Sequence, residues 1–424
     1  MDMKNLKKAD FVFFAAGLAV LAAAVASIFL YKDGRILPPK QETIVFAQWW
    51  ETAMKEGALE AVIADFEEEY PLVKVRLRNA ACEDIRDGLL DTEQEPPDLI
   101  AVDTGRLAGI AESGLLDILP PMEGGGTEAS DTDTGLDRHY LPIVTFLHPL
   151  YYNIDLLTAA GYLRPPRTRE EFLDYAKKIT DTAQGVYGTA FSRNIWTDLF
   201  PWMWAGGAET GGAETAGTID WESRPAVNTL AFLSALHQEQ TVYPPPLSMR
   251  EDELLEAFLA GHIAMFVSSQ ASAAEIRAKQ PALSFGITTI PVDEQAGGRH
   301  VFPVTEWALA IPSKSARKDE ALSLLRYLAA RKNDLAIAAR GITDYRYDNP
   351  ASGADEEPAD RKLRALYEAS DTAAISILGP APGKMTQEAR NSMLALFARE
   401  KTEAETAAAL QSAFTRPAPP ETAP

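Results

Sequence analysis

The chain has 424 residues, of which 46% are apolar, so it is long enough for two or three domains with hydrophobic cores. Acidic residues outnumber basic ones by 61 to 40, a formal net charge of −21. This charge argues against nucleic acid or an anionic lipid surface as the main partner, because both attract basic proteins. A single cysteine, Cys82, excludes an intramolecular disulfide and a cysteine-rich metal site, and the five histidines lack metal-ligand spacing. We therefore expect no bound metal ion or cofactor.

An apolar segment close to the N-terminus predicts a membrane anchor. Residues 1–10 carry three lysines, and the run over 11–30 is almost entirely apolar and long enough to span a bilayer as a helix. The lysines predict that 1–10 stays in the cytoplasm, while 31–41 tethers an extracytoplasmic body. The alternative is a cleaved signal peptide that leaves a soluble periplasmic protein, because Ala24-Val25-Ala26 fits the pattern recognised by signal peptidase. In both interpretations the membrane is contacted only through this segment.

Downstream, predicted strands and helices alternate, which is typical of an α/β fold. Apolar residues at helical spacing from Leu59 to Tyr70 predict a helix between the first two strands. Thr168 and Ser248 are each followed three residues later by a glutamate, which fits a capping box, and Ser315 predicts the N-cap of a helix with an apolar stripe over 321–328. Short apolar runs predict strands at 43–48, 73–77, 98–102, 143–146, 150–152, 263–267, 285–287 and 305–311.

Five stretches of the body are distinctive. They read FEEEYPLVKV over 66–75, PDLIAVD over 97–103, YYNIDLL to PPRTREEF over 151–172, AFLAGHIAM over 257–265 and AIPSKS over 310–315. In this order, and behind an export signal, they resemble the family 1 extracellular solute-binding proteins of ABC importers, the group that includes maltose-binding protein. The resemblance covers about 42–414, whereas 415–424 contain four prolines and predict a disordered tail.

The resemblance implies an α/β, two-lobe periplasmic-binding-protein fold of type II, with a mixed sheet in each lobe and ligand held in the cleft between them. Lobe one would consist of 42–146 and 302–345, and lobe two of 147–301 and 346–414. The implied function is to capture a small-molecule solute, a sugar or oligosaccharide, and to deliver it to the transmembrane subunits of an ABC permease. With one pair of lobes per chain, we expect a monomer.

Sugars present apolar C–H faces rimmed by hydroxyl groups, so their sites combine aromatic rings with amide or carboxylate groups. In open α/β sheets such residues follow the carboxyl ends of strands. Of the adjacent Trp49 and Trp50, we expect only one to face the cleft, because neighbours on an extended chain point in opposite directions. We choose Trp50, together with Glu51, because they lie further past the end of the strand. Each tryptophan has core packing as its alternative, and Asp103 has helix N-capping. The predicted ligand-binding residues are Trp50, Glu51, Asp103, Thr104, Asn194, Trp196, Trp202, Trp204, Glu306, Trp307 and Tyr345.

No catalytic motif occurs in the sequence, which lacks a nucleophile elbow, a phosphate-binding loop and a zinc-protease helix, so we predict a binding protein and not an enzyme. A sensory module that reports to a membrane receptor is one alternative. A scaffold that has lost its ligand is another, because Val304-Thr305-Glu306 is bulkier than the glycine-rich approach usual in the family. A glycoside hydrolase would need two facing carboxylates, for which Glu51, Asp103 and Glu306 are the candidates.

Overall fold

The computed structural model describes residues 41–50, 54–80, 85, 89, 95–103, 110–111, 113–121, 138–198, 200–208, 219–298, 300–339, 373–376 and 383–414, with the backbone alone for 196–197, 301–303, 373–376 and 383–386. The strands are β1 (Glu42–Gln48), β2 (Val73–Asn79), β3 (Leu99–Asp103), β4 (Leu141–Leu147), β5 (Leu150–Asn153), β6 (Tyr187–Thr189), β7 (Ile263–Val267), β8 (Phe285–Thr288), β9 (Val301–Ala310) and β10 (Ala373–Ser376). The helices are α1 (Ala58–Glu69), α2 (Ile154–Ala159), α3 (Arg169–Ile179), α4 (Ile195–Asp198), α5 (Phe200–Ala205), α6 (Arg224–Gln238), α7 (Glu251–Leu259), α8 (Ser272–Lys279), α9 (Lys318–Ala330), α10 (Lys332–Ala339), α11 (Gly383–Phe397) and α12 (Glu403–Phe414).

Two mixed sheets organise these elements. The six-stranded sheet has the order β10-β9-β3-β1-β2, with β4 also paired to β9, and the four-stranded sheet has the order β6-β7-β5-β8. In the first sheet β1 is parallel to β2 and β3, whereas β9 is antiparallel to β3 and β4. In the second sheet β6 and β7 are parallel, and β5 is antiparallel to both of its neighbours. The predicted mixed sheets are thereby confirmed.

The central strands β1 and β3 of the first sheet are apolar, and side chains of other elements cover both of their faces. On β3, Leu99 and Ala101 pack with β1 and helices α1, α9 and α10, while Ile100 and Val102 belong to a second cluster on the opposite face. A strand covered on both sides reads as a continuous apolar run, which is why the sequence predicts β1 and β3 correctly. The helix between β1 and β2 is also confirmed, and its buried residues Leu59, Ile63 and Phe66 follow the predicted stripe.

Among the described residues, the chain passes from a strand of one sheet to the next strand in the other sheet in two places. His148 and Pro149 join β4 to β5, and the segment from Thr289 to His300 leads from β8 into β9. Side chains near these crossings pack in two different hydrophobic cores. Phe146 and Trp307 belong to the core of the first sheet, whereas Leu147 and Val304 pack with β5 and β7. Strands β4 and β9 remain paired from Leu141↔Leu309 to Leu147↔Val304, so the crossing is a two-stranded ribbon.

The predicted lobe boundaries remain a prediction, with one strand placed differently from the expectation. The sequence assigns 346–414 to lobe two, yet β10 pairs in parallel with β9 from Ala373↔Val301 to Ser376↔Val304, in the six-stranded sheet. Helices α11 and α12, further along the same segment, instead pack in the core of the four-stranded sheet through Met393 and Leu410. A short strand of four residues has little local signal, and its pairing depends on the distant β9.

Two of the three predicted helix caps are wrong. Thr168 accepts a hydrogen bond from the backbone N–H of Glu171 at 3.2 Å and caps α3, as expected. Helix α7 instead begins after Arg250, whose N–H donates to Glu253 at 2.7 Å, so Ser248 lies outside the capping box. Ser315 does not occupy the N-cap of α9, which is Arg317. Its hydroxyl accepts from the N–H of Arg317 at 3.1 Å and donates to Asp98 Oδ1 at 2.8 Å, a residue 217 positions away.

The predicted anchor over 11–30 lies outside the described residues, as do residues 1–10, the tail 415–424 and all of the tether 31–41 except Gln41. Within the part of the chain that the structure describes, none of the helices combines the length and hydrophobicity of a bilayer-spanning segment.

Candidate functional site

The candidate site of the first sheet lies at the carboxyl ends of β1 and β3. Trp49 and Trp50 follow β1 directly, and Asp103 is the last residue of β3. Asp103 is paired with Trp307 of the antiparallel strand β9. Residues paired directly across a ladder project to the same face, so the carboxylate and the indole share one face at the edge of the sheet. The structure thus brings together residues predicted at three separate positions in the sequence.

Aromatic rings form the centre of this edge. The ring of Trp307 stacks on Trp50 with centroids 5.5 Å apart and planes inclined by 17°, and it meets Trp49 edge-on at 4.8 Å. Phe146 contacts the same indole at 5.0 Å. Trp50 is fully buried and Trp307 is 6% exposed, whereas Trp49 remains partly accessible. We name Trp49, Trp50, Phe146 and Trp307 the aromatic cluster.

The burial of Trp50 corrects the expectation that this residue, and not Trp49, faces the cleft. The backbone turns immediately after Trp49, and the N–H of Met54 donates to the carbonyl of Trp50 at 2.8 Å. This turn directs the indole of Trp50 into the core of the first sheet, against Phe46. The alternation rule for extended chains therefore does not apply at this position, and Trp49 is the member of the pair with accessible ring surface.

The acidic candidates lie on opposite faces. Glu306 is 6% exposed and is paired with Thr145, and it precedes Trp307 on β9. Successive side chains of a strand point to opposite faces, so Glu306 projects away from the face that holds Trp307 and Asp103. Asp103 and Glu306 therefore do not form the facing pair of carboxylates that glycoside hydrolysis requires. Glu51, the third candidate for such a pair, lies outside the described residues.

The second group of candidates follows strand β6 of the four-stranded sheet. The N–H of Asn194 donates to Ser192 Oγ at 3.0 Å, and its side-chain amide donates to Glu251 Oε1 at 3.4 Å. The carboxyl group of Asp198 is buried and accepts a hydrogen bond from the N–H of Ser192. Burial, followed by the charge of Glu251, raises the pKa of Asp198 to about 8. This arrangement fixes the loop that presents Asn194.

Trp202 and Trp204 depart from the expectation that they line a cleft. Both lie in α5, whose six residues are all buried, and they are 1% and 2% exposed. Trp202 meets Phe172 edge-on at 4.9 Å, and the guanidinium group of Arg169 donates to its carbonyl oxygen. Their rings are packed among helices in the core of the four-stranded sheet, which agrees with the alternative that these tryptophans are core residues.

Four predicted residues cannot be placed in this geometry. Glu51, Thr104 and Tyr345 lie outside the described residues, and for Trp196 the structure describes only the backbone, in α4. The sequence interpretation passed over Trp49 in favour of its neighbour, and it did not select His148, whose Nε2 lies 2.9 Å from the hydroxyl oxygen of Thr305. Trp49 carried the same signal as its neighbour, whereas nothing in the sequence around His148 marks it as different from a core residue.

Among the described residues, the candidate site includes no metal-binding cluster of side chains and does not coincide with the groove found beside α6. The described residues contain no group of three or more His, Cys, Asp or Glu side chains arranged to hold a metal ion. A groove of about 530 Å³ lies between α6 and the turn from α11 to α12, lined by Gln238, Glu239, Arg399 and Lys401 among others. It includes none of the predicted ligand-binding residues.

The structure contains two mixed β-sheets with helices packed on them, joined by the ribbon of β4 and β9. Polar and aromatic residues lie at the strand ends beside this ribbon. This arrangement is the two-lobe fold of solute-binding proteins. Residues 51–334 match the family model of bacterial extracellular solute-binding proteins, and the chain belongs to this family. Members of this family bind solutes outside the cytoplasm, so the protein is a binding protein and not an enzyme.

Solved structures and curated proteins agree with this assignment. An ABC-transporter solute-binding protein of Thermotoga lettingae bound to α-D-tagatose superimposes with a TM-score of 0.69 and 22% identity, over 88% of this chain and 98% of that chain. A Listeria monocytogenes substrate-binding protein in complex with cycloalternan gives a TM-score of 0.70 with 14% identity. A Streptomyces glaucescens receptor studied with acarbose gives a TM-score of 0.69 with 19% identity. Both superimpositions cover 88% of this chain and 98% of the other chain. Proteins of Brucella abortus and Brucella suis named as binding proteins are 26% identical over 191 residues. This alignment spans 44% of the chain and about half, 46%, of those relatives.

Proposed function

We propose that the protein captures a sugar or oligosaccharide between its two lobes. The observation that carries the proposal is the edge formed by Trp49, Trp307 and Asp103. It offers an accessible aromatic ring next to a carboxylate that can accept hydrogen bonds. A pyranose ring needs this combination, because its C–H face is apolar and its hydroxyl groups are donors. The sugar ligands of the three structural neighbours support the same class of solute.

The remaining predicted residues divide into those proposed to contact the solute and those that support the site from the protein core. Asn194, with Glu251 behind it, offers an amide from the second lobe, and Glu51, Thr104, Trp196 and Tyr345 stay in the proposed site as sequence-based candidates. Trp50 supports the ring of Trp307 from within the core. Trp202 and Trp204 support the second lobe and do not contact the solute.

We further propose that the protein works at the outer face of the cytoplasmic membrane, held there by 11–30, and hands its solute to the transmembrane subunits of an ABC permease as a monomer. Sequencing the N-terminus of the mature protein separates an uncleaved anchor from a cleaved signal peptide. Light scattering of the purified full chain in detergent gives the oligomeric state. Stimulation of permease ATPase activity by the loaded protein tests delivery, and no stimulation would favour the sensory alternative.

The proposal is tested by thermal unfolding of the full chain with tagatose, maltose, mannotriose, maltotetraose, spermidine and glycerol phosphate. A solute at 100 times its Kd adds about 2.7 kcal/mol to the free energy of unfolding, a shift of a few degrees. We expect a sugar, and neither the polyamine nor the phosphate, to produce this shift. Absence of a shift with every solute would contradict sugar capture and favour a scaffold that has lost its ligand.

Two variants locate the site once a binding sugar is known. Trp49→Ala removes the accessible aromatic face, so we expect the Kd to rise at least tenfold in isothermal titration calorimetry. Trp204→Phe alters an equally large ring that is buried in the core of the four-stranded sheet. This matched control should lower stability while leaving the Kd unchanged. If both variants change the Kd equally, the edge formed by Trp49, Trp307 and Asp103 is not the sugar-binding site.

A further inference from the structure

The loop that presents Asn194 emerges at the edge of the four-stranded sheet that faces the ribbon of β4 and β9. Strand β7 is parallel to β6, so the carboxyl ends of both strands lie at the same edge. The chain that follows β7 reaches the ribbon there, because the N–H of Gln270 donates to the carbonyl of Leu147 at 2.8 Å. Asn194 follows β6 at this edge, on the side of the second lobe where a solute between the lobes lies.

A second segment of the chain, 241–249, runs alongside this loop, and we name it the supporting segment. The N–H of Thr189 donates to the carbonyl of Thr241 at 3.0 Å, and the N–H of Tyr243 donates to the carbonyl of Thr189 at 2.8 Å. Strand β6 therefore has β7 on one side and the supporting segment on the other.

The same contact continues beyond the end of β6. The N–H of Leu247 donates to the carbonyl of Phe191 at 3.1 Å, and the N–H of Arg193 donates to the carbonyl of Met249 at 2.7 Å. These two hydrogen bonds run in opposite directions between the segments, so they fix the loop along its length as well as its distance from the supporting segment.

The residues at the end of the loop are held from two further directions. The guanidinium group of Arg390 on α11 donates to the carbonyl of Arg193 at 2.9 Å. Glu251, at the start of α7 and two residues past the supporting segment, accepts from the side-chain amide of Asn194 at 3.4 Å. A binding residue that is already held in place loses less conformational freedom when it meets a ligand.

Leu247 adopts a backbone conformation that is unfavourable for leucine. Its φ of 54° lies in the left-handed region, where the Cβ atom approaches the following carbonyl oxygen. The other two described non-glycine residues with positive φ are Gln240 and Arg399. Each lies two residues past the end of a helix, α6 or α11, where this conformation commonly terminates helices. Leu247 terminates no helix, so its conformation requires a different explanation.

Two features keep Leu247 in this conformation. Its side chain is fully buried in the core of the four-stranded sheet. It is preceded by three prolines, 244–246, whose rings fix their own φ values, so these residues leave the change of direction to Leu247. Backbone strain of this kind persists where the surroundings over-determine it, often beside functional groups. Here the turn brings the Leu247 N–H and the Met249 carbonyl to the loop.

We propose that Leu247 is a positioning residue of the solute site: its left-handed backbone holds 191–193 against the supporting segment and thereby sets the position of the Asn194 side chain. Leu247 does not contact the solute, because its own side chain is enclosed in the core. The contact between Asn194 and a sugar rests on the proposed function, whereas the effect of Leu247 on the loop does not.

Hydrogen–deuterium exchange of the solute-free full chain, followed by mass spectrometry, measures how firmly the loop is held. Leu247→Ile keeps the number of side-chain carbon atoms, but isoleucine is branched at Cβ and strongly disfavours the left-handed region. We expect the amide hydrogens of 191–194 to exchange at least tenfold faster, while those of α6 keep the parent's rate. Leu247→Val, smaller by one methylene group, imposes the same backbone constraint if the isoleucine variant does not fold.

The matched control is Leu230→Ile on α6. Leu230 is equally buried in the same core, but its backbone is helical, so 191–194 should exchange within twofold of the parent's rate. Leu247→Met, unbranched at Cβ, should likewise retain the parent's rate. The proposal is overturned if both β-branched variants leave the exchange of 191–194 unchanged, or if Leu230→Ile accelerates it as much as they do.

A double-mutant cycle by isothermal titration calorimetry tests the connection to the solute. It uses whichever of tagatose, maltose, mannotriose and maltotetraose stabilises the chain. We expect Asn194→Ala to raise the Kd at least tenfold. Leu247→Ile should raise the Kd at least fivefold when Asn194 is present, and less than twofold when residue 194 is already alanine. A merely structural role would raise the Kd by the same factor in both backgrounds, because its effect would not act through Asn194.

The two measurements separate this proposal from the proposed function. If none of the sugars binds, sugar capture fails, while the exchange rates still decide whether Leu247 holds the loop. If a sugar binds and Asn194→Ala leaves its Kd unchanged, sugar capture stands and the positioning role of Leu247 is overturned.

Discussion

The indole rings of Trp50 and Trp307 stack with centroids 5.5 Å apart, which joins the turn after β1 to the strand that returns from the other sheet. Trp50 is fully buried, while Trp49 keeps accessible ring surface against the same partner. Two adjacent tryptophans therefore serve separate purposes, since one supports the cluster and the other can contact a solute. This separation can be measured, because stability and binding should respond to different members of the pair.

Replacing the supporting tryptophan should mainly affect stability. Trp50→Ala removes a large side chain from the core of the first sheet, so we expect a loss of about 3–5 kcal/mol in the free energy of unfolding. Trp49→Ala, the matched control, should lose clearly less. Urea unfolding followed by circular dichroism measures both values. A Trp50→Ala loss no larger than that of Trp49→Ala would show that the stack contributes little.

Asp98 should be one of the most sensitive polar residues in the first sheet. Its carboxylate is 1% exposed and accepts hydrogen bonds from the N–H of Val45 at 2.9 Å and from Ser315 at 2.8 Å, with Arg317 at 3.3 Å. Asp98→Ala leaves these donors without an acceptor, and we expect a loss of about 3 kcal/mol on urea unfolding. Glu69→Ala breaks an exposed pair with Arg331 at 3.7 Å and should lose under 1 kcal/mol. Equal losses would refute this ranking.

The buried carboxyl group of Asp198 should make the protein less stable as the pH rises. Its pKa is about 8 in the folded protein against an ordinary 3.8, so its contribution is complete below about pH 4 and is lost progressively up to pH 8. Asp198→Asn removes this titration, and the variant should gain stability relative to the parent between pH 5 and 8. The difference should grow by up to about 1.4 kcal/mol per pH unit in urea unfolding. Asp220→Asn makes the same replacement at an exposed position and serves as the control.

Close packing of β6 against α3 predicts that Gly188 does not tolerate a side chain. A Cβ atom at this position would overlap the backbone of Ala176, which cannot move away without shifting its helix. We expect Gly188→Ala to lose about 3 kcal/mol in thermal unfolding. At Gly261, with φ +78° and open space around it, the same change should lose about 1 kcal/mol, from backbone strain alone. A Gly188→Ala variant as stable as Gly261→Ala would refute this packing argument.

The sequence predicted elements whose signals are local. The apolar runs of β1 and β3 and the stripe of α1 survive in the structure, because a strand buried on both faces and a helix packed on one side impose those patterns directly. Caps were predicted less well. The capping box lies at Arg250 and Glu253 and not at Ser248. The N-cap of α9 is Arg317, while the hydroxyl of Ser315 donates to Asp98, which directly precedes β3. A short polar side chain can satisfy several partners, and its local sequence does not say which one is near.

The sequence alone determined the family resemblance, the alternation of strands and helices, and the set of aromatic and acidic residues from which a site could be built. Only the tertiary structure decided which of those residues share a surface. It paired Asp103 with Trp307, turned Glu306 to the other face, buried Trp50, Trp202 and Trp204, and placed His148 against Thr305 at the crossing. The reason is physical: these relationships depend on strand register and on contacts between residues as many as 204 positions apart, and neither composition nor periodicity encodes them locally.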